Sequence, residues 1–171
     1  MKKLLLLLVL SLSAYALQTG KIPSHVVLDG NNGGKSDGKA WDSSTLVGKV
    51  HTVLYMDPDE RQEAMPFLDI LNSKNFDKTK YSTVAIVNLA AMWMPDFVLE
   101  TMLENKQREL KNTIFIFDKT KHLVEKWKLK DDASNVLIFD AKGRLLYQKS
   151  AKLSSEDIEE IMTMLSKEIN K

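Results

Sequence analysis

Asp57, Asp59 and Glu60 crowd into LYMDPDERQEAMPF (54–67), with Arg61 directly behind them. Carboxylates so grouped, with a guanidinium beside them, could carry acid–base chemistry that needs no thiol. Such a catalytic set also needs a partner group and a pocket, and the sequence supplies neither. The acids have a second explanation. They fall just before or within the first turn of a helical pattern, where negative charge is favoured by roughly 0.3–1 kcal/mol.

Other chemistries are quickly narrowed. The chain has no cysteine, which excludes thiol catalysis, thiol–disulfide exchange, thiol peroxidase activity, thiolate metal sites and covalent haem attachment. His25, His51 and His122 lack the short spacing of metal ligands, so no metal set is expected. DGNNGGKS (29–36) ends as a P-loop does, but Asp29 stands at its first glycine position and no helical pattern follows. As a calcium loop it has Asp29 and Asn31, but Gly33 offers no side chain and Ala40 occupies the twelfth position. A flexible hairpin tip accounts for Gly30, Gly33, Gly34 and Gly38. No cofactor is expected. Met92-Trp93-Met94-Pro95 opens a helix with proline in its first turn. An exposed Trp93 between methionines would make an adaptable binding surface, and burial against a sheet is the commoner fate of such a cluster.

The elements that must position these residues alternate. Apolar, β-branched runs predict strands at 50–56, 82–88, 113–117, 135–139 and 144–148. Asp140-Ala141-Lys142-Gly143 joins the last two as a hairpin turn. Helical patterns cover about 60–74, 96–110, 119–127 and 155–169, the last with Ser154 as its cap. Alternation favours parallel crossovers and the hairpin makes the sheet mixed, so one α/β domain is expected. Pro66 falls inside the helical pattern at 60–74, where a lost backbone bond costs about 3 kcal/mol or a kink, so a helix kinked there is expected.

Residues 1–16 read as an export leader. Lys2 and Lys3 precede the apolar run Leu4–Leu12, and Ala14-Tyr15-Ala16 is a small-residue cleavage site. The run is too short to span a bilayer, which takes about 20 residues. Cleavage after Ala16 would leave one domain, 17–171, with no integral membrane segment. Losing Lys2 and Lys3 lowers the 24 basic side chains to 22, against 23 acidic ones. That balance argues against a nucleic-acid partner.

Gly48-Lys49-Val50, an apolar strand, a turn and Glu63-Ala64-Met65-Pro66 together resemble thioredoxin-like proteins of the cell envelope. The resemblance implies that the two cysteine positions fall on Pro58 and Arg61, with the turn reading Pro58-Asp59-Glu60-Arg61. Counted back from Gly143, that family's cis-proline position is Ser134. Over nearly all of 17–171 the chain is also similar to the YtfJ family of periplasmic proteins. The matching segments include Trp41–Val50, Tyr81–Asn88, Phe115–Asp118, Trp127–Leu129 and Ser134–Leu145. These likenesses imply a thioredoxin-like mixed β-sheet flanked by helices, with an N-terminal β-hairpin extension, in a periplasmic protein. They carry over no catalytic residue. The expected function is a non-catalytic binding or interaction module, using Asp57, Pro58, Asp59, Glu60, Arg61, Trp93 and Ser134 toward an envelope protein or small ligand. The alternative is an enzyme working through the carboxylates of 57–61.

Overall fold

The computed structural model describes residues 17–91, 96–110 and 112–171. Trp93 and the leader, 1–16, lie outside the described residues. The core is a six-stranded sheet built on β4 (Val50–Met56), a run of β-branched, aromatic and aliphatic residues buried along its whole length. β4 pairs in parallel with β5 (Tyr81–Asn88), and β5 in parallel with β6 (Thr113–Asp118). On its other side β4 pairs antiparallel with β7 (Asn135–Phe139), which pairs antiparallel with β8 (Leu145–Ser150). Helices α1 (Arg61–Ser73) and α2 (Asp96–Glu109) provide the crossovers that parallel pairing requires.

Period-two alternation along β4 sorts its side chains between two cores. Val50, Leu54 and Met56 face Ala64, Phe67, Leu68 and Leu71 of α1. They share that core with Ile161, Leu165 and Ile169 of α4 (Ser155–Ile169). Val53 and Tyr55 face the other way, into a core with Trp41 and with Leu123 and Trp127 of α3 (His122–Trp127). α4 begins as its sequence predicts: Ser154 accepts from the Asp157 amide, and Asp157 accepts from the Ser154 amide in return.

Three sequence expectations change. The glycine-rich stretch is no free tip. Val27–Leu28 (β1) and Trp41–Asp42 (β3) form the N-terminal antiparallel pair, and Gly33–Lys35 (β2) between them joins the edge of the main sheet against β6. At Gly33, with φ of 125°, a Cβ would stand 2.0 Å from the Phe117 carbonyl oxygen, so only glycine allows the pairing. α3 begins three residues later than 119. The Asp118 carboxylate accepts from the amides of Thr120, His122 and Leu123, and Lys121 adopts a left-handed conformation, so an aspartate-capped turn replaces the first helical turn. Finally, Asp57 is not a helix-end charge, because α1 starts only at Arg61.

Candidate functional site: a carboxylate cluster at the strand ends

Three neighbouring strands end in a polar residue after an apolar run. One step past Met56 comes Asp57, β5 ends at Asn88, and β6 ends at Asp118, which lies beside Asn88 in the sheet register. Alternation places Asp57 on the side of Val53 and Tyr55, toward α3. There it is only 3 % exposed. Its Oδ1 accepts from the Asn88 side-chain amide at 2.9 Å, and its Oδ2 is buried without a hydrogen-bond partner.

Facing it is the connection between α3 and β7. Asn135 shapes this loop: its side-chain Oδ1 accepts from the Lys130 amide, and its Nδ2 donates to the carbonyls of Lys130 and Ala133. Asp132 sits in a left-handed conformation within it, at φ 49°. The loop so held brings carboxylate oxygens of Asp131 and Asp132 and that of Asp57 within 4.8 Å of one another. Lys121 answers part of this charge, its Nζ donating to Asp131 Oδ2 at 2.7 Å. Asp131 Oδ1 is buried and unpartnered, like Asp57 Oδ2.

The electrostatics follow from that crowding. Burial pushes the Asp57 carboxyl above its ordinary value, and the charges of Asp131 and Asp132 push it further, against the pull of Lys121 and Asn88. The hydrogen bond to Asp131 raises the Lys121 ammonium. Burial, and then Asp118, push the Tyr55 phenol far up, so it remains a donor, to Asp118 Oδ2 at 3.3 Å.

Of the residues singled out from the sequence, Asp57, Pro58, Asp59, Glu60 and Ser134 do meet here. Ser134, 2 % exposed, donates to the Glu60 carbonyl at 3.1 Å, which places it beside the turn as the count from Gly143 implied. Pro58 and Glu60 are half-buried, and Asp59 is exposed. Glu60 makes no side-chain cap to α1. Arg61 opens α1, and its side chain falls outside the described residues, as does Trp93. Asn88, Lys121, Asp131, Asp132 and Asn135 escaped the sequence reading. Their signal was available only across strands: each of three apolar runs closes on Asp or Asn, and a pair of aspartates stands just before Ser134.

The nearby hydroxyls are engaged, Ser134 with the Glu60 carbonyl and Tyr55 with an Asp118 carboxylate that three backbone amides also occupy. What remains chemically available is a buried carboxylate oxygen that can hold a proton or ligate a cation. A separate shallow groove lies at the opposite end of β4, where Ile22 and Val47, 63 % and 55 % exposed, adjoin Leu46 and Trp127.

Comparison with known proteins agrees with this fold. Residues 24–168 match the family defined as "Bacterial protein of unknown function (YtfJ_HI0045)". The chain is 25 % identical to the uncharacterised protein YtfJ of Escherichia coli (strain K12) over 173 residues, covering 95 % of this chain and 92 % of that one. It is 26 % identical to an uncharacterised protein of Haemophilus influenzae over 130 residues, covering 74 % and 70 % respectively. Among solved structures, a candidate thiol:disulfide interchange protein DsbE of Chlorobium tepidum superposes with a TM-score of 0.66 at 14 % identity, over 90 % of this chain and 99 % of that one. At that identity the likeness shows the fold alone: it is thioredoxin-like. With a thioredoxin-like sheet, no cysteine and a profile match across 24–168, the chain belongs to the YtfJ family of bacterial proteins.

Proposed function

We propose that the protein is an exported, non-catalytic binding module that uses the strand-end edge around 57–61 and 131–134. The observation that carries this reading is Asp57: a carboxylate 3 % exposed whose Oδ2 has no partner, set where the thiol turn of the fold would stand. Leaving such an oxygen buried and unpaired costs roughly 1–3 kcal/mol, a cost that a bound ligand can offset. The charged leader pattern and the Ala14-Tyr15-Ala16 site support export.

Amide chemical shifts of the purified protein, recorded while size-fractionated envelope extract is added, test the binding edge. Shifts gathered at 57–61, 88 and 131–134 are expected. Shifts confined to the Ile22–Val47 groove, or none, would refute it. N-terminal sequencing of the exported protein should begin at Leu17.

The pushed-up carboxyl of Asp57 also favours a second reading, because acid–base enzymes hold such groups at their sites. In that reading Asp57 is the proton-carrying residue. Turnover of a substrate that Asp57→Asn abolishes, without loss of its binding, would establish it.

A further inference from the structure

The sequence alone suggests no metal. We propose instead that Asp57, Asp131 and Asp132 form a site for one hard divalent cation, calcium in preference to magnesium. This deepens the binding reading above and rests on it.

Two observations independent of the acids' mere proximity point to a ligand. Asp57, 3 % exposed, presents Oδ2 without a partner, and Asp131 buries an unpartnered Oδ1 in the same cluster. Among the described residues, the neighbouring donors are committed. The Asn88 amide serves Asp57 Oδ1, Lys121 serves Asp131 Oδ2, and Tyr55 serves Asp118. Asp118 itself is filled by the amides of Thr120, His122 and Leu123. Among the described residues, the Lys121 ammonium pairs with one of the three carboxylates, and a divalent cation suits the other two.

The donor set selects the ion. All three ligands are carboxylate oxygens, with no imidazole or thiolate among them, which suits hard cations over zinc or copper. Oxygens on opposite sides of calcium stand about 5 Å apart, and around magnesium about 4 Å. The three oxygens lie within 4.8 Å of one another, a span that one calcium ion bridges, and calcium accepts the irregular geometry of a strand end and a loop where magnesium demands a near-ideal octahedron. Asp132 is exposed, so water can reach the ion and complete its coordination shell. Three protein carboxylates with an open side correspond to affinity on the order of 0.1 mM.

Isothermal titration calorimetry of the purified, chelator-stripped protein with CaCl2, and separately with MgCl2, tests the assignment. One saturable calcium site is expected, with magnesium at least tenfold weaker. Asp57→Asn should abolish the heat and Asp132→Asn, at an exposed position that leaves folding intact, should weaken binding at least tenfold. Asp69→Asn, exposed on α1 and outside both the set and the 57–61 edge, should leave the isotherm unchanged. No saturable heat up to about 10 mM calcium, or an isotherm unaltered in Asp132→Asn, overturns the proposal. Extract-induced amide shifts at 57–61 and 131–134 in ion-free protein, with no calcium heat, overturn the cation alone. Absence of both heat and shifts overturns the binding edge as well.

Discussion

Asp57 is the residue on which the chemistry turns, and its charge opposes folding. An aspartate whose pKa is raised on folding is most favourable below its unfolded value, near 3.9. Its contribution is lost as pH rises through the folded value, then levels off. Asp57→Asn should therefore stabilise the protein at pH 7 by about 1 kcal/mol, near the lower bound for a buried group left unpaired. The advantage should vanish as pH falls toward 3.9. Urea melts at several pH values check both the sign and the window. Asp59 is exposed and lies just outside α1, so Asp59→Ala should cost less than about 1 kcal/mol in the same melts. Asp57 and Asp59 are two residues apart and of one type. Their difference comes from strand alternation at Asp57 and from the loop that Asn135 holds against it, and neither can be read from a local acidic cluster.

At the scale of elements, α1 runs unbroken through Pro66. Pro66 is exposed, on the face away from Ala64, Phe67 and Leu68, and Gln62, whose carbonyl loses its helical partner, is exposed too. Water can serve that carbonyl, so Pro66→Ala should change thermal stability by less than about 1 kcal/mol, the gained bond being offset by a looser unfolded chain. Gly33 is the opposite case. Gly33→Ala drives a Cβ into the Phe117 carbonyl and should cost more than about 2 kcal/mol, with amide exchange accelerated along β2 and the facing edge of β6. The β4, β7 and α4 boundaries were legible because each is a continuous apolar run or a capped periodic one. β2 was not, because Gly-Gly-Lys has no strand propensity and pairs only through β6. Nor was the site, whose members lie just past β4, at the end of β5 and in the α3–β7 loop and meet only once the sheet is ordered.

For the whole molecule, the thioredoxin-like frame persists without thiol–disulfide exchange, since the attacking group in that chemistry is a thiolate. No helix among the described residues is long and apolar enough to cross a membrane. What the frame holds at its strand ends is a buried, half-paired carboxylate, that of Asp57. Carboxyl-carbon NMR of the purified protein, followed across pH with Asp57 assigned through Asp57→Asn, measures it directly. The Asp57 carboxyl should titrate above 3.9 in ion-free protein, raised by burial and then by the charges of Asp131 and Asp132. A midpoint at or below 3.9 would contradict it, because Asp57 would then already be compensated and would have no need of a ligand.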